Sequence, residues 1–315
     1  MKVTKYKIAK FVMIYFILLQ FLVGCIGKQA ESTLAMIHPP VFIPAEEDDL
    51  TESLYYDAQT FLTVKTSEGM VEISLQDYLV GVLQGDLPVD FPIETMKAQA
   101  IAARTVALKK LNAGKPLCDD PNCCQAFVQM FPVSEQVVNA VMETDGQVLV
   151  YKNELIEAVY FSCSGGMTEA AVDVWGNEVA YLQALASPGE ELAPRYEESV
   201  TIPKKVFLQK LESLAQGIEA NPNIGDPVRT EGGGVKSVVI GGVAFTGTQL
   251  RELFNLRSTY FEIEMNDFSV RIHCRGFGHR VGLSQYGAKA MAENGADYRQ
   301  ILSYYYPGTE IKKQP

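Results

Sequence analysis

Basic residues are scarce in this 315-residue chain: 27 lysines and arginines stand against 38 aspartates and glutamates, a formal charge of −11. Phosphate backbones are gripped by basic stripes, so the balance argues against a nucleic-acid partner. It would also repel any other anionic polymer, so a groove for one has to be locally less acidic than the whole. Histidine is rarer still, with three residues, and tryptophan occurs once. No internal repeat and no low-complexity tract is present. No glycine-rich turn is framed by a βαβ unit with a following acidic residue, which removes a dinucleotide fingerprint. Nor does a serine stand in a Gly-x-Ser-x-Gly context, so Ser164 or Ser284 with His279 does not make a hydrolase pair.

Long apolar runs are confined to one place. Phe11 to Gly27 is uncharged and broken only by Gln20, with Lys2, Lys5, Lys7 and Lys10 before it and Lys28 after it. Such a segment addresses the chain to a membrane, and the lysines keep its N-terminus inside. Seventeen residues fit a short spanning helix or a long signal core, and Leu22-Val23-Gly24-Cys25 also looks like a lipobox, so residues 1–28 read as a membrane anchor or a lipoprotein signal. Both readings place the remainder outside the cell. Residues 29–55, with Pro39, Pro40, Pro44 and the acidic run Glu46-Glu47-Asp48-Asp49, read as an extracytoplasmic tether.

The folded part is expected over 56–315. Phe61-Leu62-Thr63-Val64 and Met70-Val71-Glu72-Ile73 flank a Ser67-Glu68-Gly69 turn and predict a hairpin, with a helix from Leu75 to about Leu83 behind it. Pro92 sits where a first helical turn tolerates it. Met96, Ala100, Ala103 and Ala107 recur three or four apart in the run to Lys110, which predicts a long, largely buried helix. Val148–Tyr151 and Ala158–Phe161 read as strands, Pro203–Leu214 as an amphipathic helix after Thr201, and Val238-Val239-Ile240 with Val243-Ala244-Phe245 as a tight hairpin about Gly241-Gly242. Without a βαβ rhythm the class is α+β, mixed helices with antiparallel sheet, in one large domain or two lobes. Residues 191–234, ending in Gly232-Gly233-Gly234, are the expected insertion or second lobe.

Cysteine is sparse and unevenly placed. Of six, Cys25 belongs to the apolar segment, and the remaining five cannot all pair internally. Cys118-Asp119-Asp120-Pro121-Asn122-Cys123-Cys124 packs three thiols into seven residues, a density that favours a tetrahedral metal, and zinc prefers thiolates. Asp119, Asp120 or water are open as the fourth ligand. Such a zinc would be structural, pinning the loop after Lys110.

The segment Cys274-Arg275-Gly276-Phe277-Gly278-His279-Arg280-Val281-Gly282-Leu283-Ser284-Gln285-Tyr286-Gly287 delivers a histidine through a glycine-dense turn into a helix. Gly276, Gly278 and Gly282 permit backbone angles closed to other residues and let a ligand approach the main chain. Read with Gly81-Val82-Leu83-Gln84-Gly85-Asp86-Leu87-Pro88, the run Met96–Leu108, Ser164-Gly165-Gly166-Met167-Thr168 before Trp175-Gly176, Leu250-Arg251 before Leu256-Arg257-Ser258, and Tyr305-Tyr306-Pro307-Gly308-Thr309, it resembles the stage II sporulation protein D family from about Phe61 to Ile311. Relatives of that family include the amidase-enhancer proteins. The resemblance implies a membrane-anchored lytic transglycosylase of spore-forming bacteria, cutting peptidoglycan glycan strands during engulfment of the forespore beside a cell-wall amidase that strips stem peptides. The rival expectation is a glycan-binding protein that stimulates the amidase and has lost turnover. The resemblance also favours an uncleaved anchor over a lipoprotein, and includes members whose zinc loop reads cysteine, four residues, histidine, cysteine; here Cys123 takes the histidine's place between Cys118 and Cys124.

A lytic transglycosylase breaks a glycosidic bond through an oxocarbenium-like state. The sugar's own 6-hydroxyl attacks in place of water, so one carboxyl group can be acid and then base. The family places a glutamate before a Leu/Met-Pro pair, and that position here is Asp86. Aspartate is shorter by one methylene, and its ordinary pKa of about 3.9, against about 4.3 for glutamate, demands a larger burial shift to stay protonated near neutrality. Glu94 is the nearest other acid, but a first-turn glutamate often serves the helix dipole. Lys97, Gln99 and Arg104 are expected to position sugar hydroxyls or Asp86, with a buried ion pair as the alternative for Arg104. His279, Ser284 and Gln285, and a second wall of Ser164, Gly165, Gly166 and Thr168, complete the expected glycan contacts, with Trp175 and Tyr160 available to stack on sugar rings. A disulfide between Cys163 and Cys274, which flank two of the motifs, is a further expectation.

Overall fold

The computed structural model describes residues 55–66, 69–120, 124–128, 132–219 and 221–314. The apolar run, the tether and Cys123 lie outside the described residues. Among the described residues no helix is long and apolar enough to cross a membrane.

The chain begins with α1 (Tyr56–Gln59), β1 (Phe61–Thr66), β2 (Gly69–Ser74), α2 (Leu75–Asp86), α3 (Ile93–Asn112), β3 (Leu117–Cys118) and α4 (Glu135–Glu143). It continues through β4 (Gln147–Tyr151), β5 (Glu154–Leu155), β6 (Tyr160–Phe161), α5 (Ala171–Trp175), β7 (Glu197–Pro203), α6 (Lys204–Glu212), β8 (Val228–Arg229), β9 (Val235–Ile240) and β10 (Val243–Thr246). It closes with α7 (Gly247–Phe254), β11 (Phe261–Met265), β12 (Ser269–Arg275), β13 (Leu283–Ser284), α8 (Gln285–Glu293), α9 (Tyr298–Tyr305) and β14 (Glu310–Lys313). The sheets among the described residues run β2-β1-β3, β14-β4-β5, β10-β9-β8, β11-β12-β7 and β13-β6. Only β1/β3 and β6/β13 pair in parallel there, and the class is the α+β that the sequence predicts.

The predicted hairpin forms, with Phe61 opposite Ser74 and Leu62 and Val64 turned inward. Ser74 caps α2 by accepting from the Asp77 N–H at 3.0 Å. That helix runs a turn past the expected Leu83 and stops at Asp86, because a residue before proline is pushed out of helical geometry; Leu87, before Pro88, is extended at φ −115°, ψ 136°. Proline chemistry thus fixes Asp86 as the last helical residue.

Helix α3 is buried on most of its circumference. Met96, Ala100, Ala103 and Ala107 pack with Tyr78, Leu79 and Leu83 in one core, while Ala98, Ile101 and Ala102 pack with Leu149, Val281 and Ile301 in another. Alanine is the residue that lets both neighbours reach the backbone of a shared helix. A third core joins residues from Phe207 to Cys274, with Phe207 stacked on Phe254 at 4.8 Å. The 191–234 stretch contributes β7 to the β11-β12-β7 sheet, Val200 opposite Ile272. Thr201 therefore lies inside a strand, and α6 starts only after Pro203.

Cys163 and Cys274 are free, buried thiols, which corrects the expected disulfide. Strand alternation turns Cys274 into the third core with Val270 and Ile272, while Cys163 bridges Phe277 and points its sulfur at the Arg195 carbonyl.

Candidate functional site

Asp86 is partly buried at the end of α2, and Tyr160 on β6 donates its hydroxyl proton to Oδ2 at 2.8 Å. Burial pushes the Asp86 carboxyl up to about 6, and the Tyr160 hydrogen bond restrains the rise. Gln125 Nε2 donates to the Tyr160 hydroxyl at 2.9 Å, and Tyr78 donates to Gln125 Oε1 at 3.1 Å. The loop carrying Gln125 lies hard against α2: a Cβ on Gly85 would stand 2.1 Å from the Ala126 carbonyl, and Phe127 stacks on Tyr78 at 5.3 Å. His279 enters the same chain of contacts from the other side. Its Nδ1 accepts from the Val281 N–H at 3.1 Å, so the ring hydrogen sits on Nε2 and bonds the Tyr160 carbonyl. Desolvation, then the Arg251 charge, lower its pKa to about 4, so a neutral imidazole stands between Phe161 at 5.6 Å and half-exposed Trp175 at 5.5 Å.

These two shifts oppose each other in pH. Asp86 is raised from 3.8 to about 6, so its contribution to stability is present at low pH and lost as pH rises toward 6. His279 is lowered from 6.5 to about 4, so its contribution is present above 6.5 and lost as pH falls toward 4. Relative to the parent, Asp86→Asn should therefore gain stability as pH rises from 4 to 6, and His279→Gln should gain it as pH falls through the 6.5-to-4 window. Urea midpoints measured between pH 4 and 7 check both signs.

The two glycine motifs converge. Cys163 and Phe277 exchange backbone hydrogen bonds at 3.3 and 2.7 Å, and a Cβ on Gly276 (φ +78°) would meet the Ser164 carbonyl at 2.7 Å. The expected glycan contacts Ser164, Gly165, Gly166 and Ser284 are held from behind by Glu190, a fully buried carboxylate. Its Oε2 accepts from Ser164 N, Ser164 Oγ and Gly165 N at 2.9, 2.6 and 3.1 Å, and more loosely from Gly166 N at 3.3 Å. Its Oε1 accepts from Ser187 Oγ at 2.8 Å and from Ser284 Oγ. The hydroxyls of Ser164 and Ser284 thus serve this clamp, and Thr168 Oγ1 bonds the Gln183 carbonyl. Ser284 also caps α8, where Gln285 is buried. Arg280, fully buried and itself at φ +65°, ties the turn to Ser164 O at 2.6 Å, Met167 O at 2.9 Å, Glu169 Oε1 at 3.0 Å and Gly232 O. The sequence assigns no role to Glu190, Glu169, Arg280 or Gln125; a charged residue inside an apolar, glycine-rich run is the available signal for Arg280, and the other three have none.

Three helix α3 residues part company. Arg104 is fully buried and bonds both Asp57 oxygens from Nε at 2.9 and 2.8 Å, with further bonds to the Val141 and Gln147 carbonyls at 3.2 Å. It is an internal tie between α1, α3 and α4, correcting its expected part in glycan binding. Lys97, on the same face, pairs with Glu94 at 2.9 Å and Glu143 at 2.7 Å. Gln99 is fully buried, and among the described residues neither of its amide atoms has a hydrogen-bond partner. It lies on the α3 face shared by Thr95, which bonds the Ala288 carbonyl of α8, and Ala103, whose carbonyl accepts from Gln125. The cysteine loop lies close by. Cys118 and Cys124 sulfurs are 3.0 Å apart, and Cys124 Sγ accepts from Lys110 Nζ at 2.9 Å and Cys118 N at 3.2 Å. Among the described residues no group of three or more histidine, cysteine, aspartate and glutamate side chains is arranged to hold a metal.

The family model for Stage II sporulation protein matches residues 64–151, from β1 through Asp86, α3 and the cysteine loop to β4. "Stage II sporulation protein D" of Bacillus amyloliquefaciens is 36% identical over 268 residues, 79% of this chain and 77% of that protein. This chain belongs to the stage II sporulation protein D family. Its Bacillus subtilis (strain 168) member is 34% identical over 268 residues, 79% of this chain and 78% of the relative. The "Amidase enhancer" of the same organism is 29% identical over 288 residues, 74% of this chain and 40% of the relative. Membership places the chain among proteins of sporulation.

Proposed function

We propose that the chain is a peptidoglycan lytic transglycosylase that cuts glycan strands to 1,6-anhydro ends during engulfment, with Asp86 as acid and base. The observation that carries this is the Asp86 carboxyl itself, lifted to about 6 by burial and held by Tyr160 at 2.8 Å. Because Tyr160 occupies Oδ2, the proton of the neutral acid sits on Oδ1. That proton passes to the glycosidic oxygen as the C1–O bond breaks, and the Tyr160 hydrogen bond stabilises the carboxylate so formed. The carboxylate then takes the proton of the muramic 6-hydroxyl as that oxygen bonds C1, which restores the acid and consumes no water. Trp175 and the His279 turn offer an aromatic wall for sugar rings. An N-terminal membrane segment would hold the domain outside the cell, next to the wall and a partner amidase.

Cys118 and Cys124 suit zinc, since cysteine sulfur is a preferred ligand of that metal and the two sulfurs face each other. With Cys123 they would fix the loop that carries Gln125. The identity "Amidase enhancer" of one relative favours a second reading, a glycan-binding partner that stimulates an amidase without turnover. Mass spectrometry of strands incubated with the full chain separates the two. Anhydro ends support the transglycosylase; new reducing ends would mean hydrolysis, and bound but intact strands would mean the binding protein.

A further inference from the structure

We infer that Gln125 and Tyr160 are positioning residues: the Gln125 amide fixes which way the Tyr160 hydroxyl points and so aims its proton at Asp86. This rests on the reading of Asp86 as the acid.

The direction follows from the amide's neighbours. Gln125 Nε2 faces the Ala103 carbonyl at 3.4 Å, a group that can only accept, so the nitrogen is on that side. The oxygen is then the atom that receives the Tyr78 hydroxyl at 3.1 Å. The other Nε2 hydrogen points at the Tyr160 oxygen at 2.9 Å and takes up its lone pair. A phenol that accepts there has one proton left to give, and Asp86 Oδ2 lies 2.8 Å away. Gln125 is buried and held by Phe127 stacking and by the Ala126 carbonyl against Gly85, so it cannot turn over without moving the loop.

The groups facing this corner are the Tyr160 and Tyr78 phenols, the Cys118 and Cys124 thiols, the Lys110 ammonium on Cys124, and neutral His279 on the Tyr160 carbonyl. Burial raises both phenols above their ordinary value, so they remain donors throughout the working pH range.

The test follows the Asp86 carboxyl directly, by carbon-13 NMR titration of the full chain labelled at aspartate carboxyls, with Asp86→Asn assigning the signal. Tyr160→Phe should lower the Asp86 acid dissociation constant about tenfold, since a hydrogen bond to the ionised form is lost. Gln125→Met should lower it by less, and should add nothing once Tyr160 is already replaced. An unmoved titration in both single variants overturns the inference. So does an effect of Gln125→Met that persists in the Tyr160→Phe background, because the amide would then act by another route. The same variants assayed for turnover keep the two ideas apart: if Asp86→Asn cuts strands normally, the acid assignment fails while the titrations still decide the hydrogen-bond direction.

Discussion

Asp86→Asn should remove anhydro product formation by at least about a hundredfold while leaving the chain folded. The asparagine carbonyl can still accept from Tyr160, so the contact at 2.8 Å survives. What is lost is a transferable proton. Above pH 6 the variant should be the more stable protein, because it no longer buries an ionised carboxylate. Lost activity with gained stability at pH 8 is a pattern that general damage does not produce. Asp86→Glu is the companion. It restores the acid that the family places before the Leu/Met-Pro pair, and the added methylene extends its reach toward substrate. If the parent binds strands without cutting and the glutamate variant cuts them, the parent is the glycan-binding protein. Loss in the asparagine variant from an active parent settles the enzyme.

Local features of the sequence carried far. The β1–β2 hairpin, the Gly241-Gly242 turn and helix α3 follow from periodicity and turn residues, and all three lie where they are predicted. The α2 end was misplaced because hydrophobic pattern fades after Leu83, while the Leu87-Pro88 pair that stops the helix acts from outside it. The site is harder to read, since its decisive contacts span long stretches of chain. Tyr160 reaches Asp86 across 74 positions and Ser284 reaches Glu190 across 94. Nothing local to Glu190 separates it from Glu191 next door, although one is fully buried and the other exposed. Tyr160 was noticed as an aromatic, but its hydroxyl does the work, and only the fold shows what that hydroxyl touches.

Arg280→Met should be the most damaging single change outside the acid. Arg280 is fully buried and reaches four acceptors, the carbonyls of Ser164, Met167 and Gly232 and the carboxylate of Glu169. Methionine fills much of the volume but donates nothing. Breaking a buried pair from one side leaves an uncompensated charge, at a cost of about 3–5 kcal/mol. Thr230 Oγ1 and Gly234 N still donate to Glu169 Oε1 at 2.9 and 3.0 Å, which moderates the penalty, but Glu169 Oε2 has no partner among the described residues. For a domain of this size the loss corresponds to roughly 10 °C in melting temperature. Arg280→Lys should fall between, since an ammonium keeps the charge but cannot span acceptors spread over the 164–169 loop and Gly232. Adding Glu169→Leu to Arg280→Met should recover part of the loss, and a double variant no better than the single one would show that the carbonyl contacts, not the charge pair, dominate. Activity should fall faster than stability. Arg280 directly follows His279 and fastens its turn to the Ser164 loop, so its loss frees the wall that faces Tyr160 before it melts the cores.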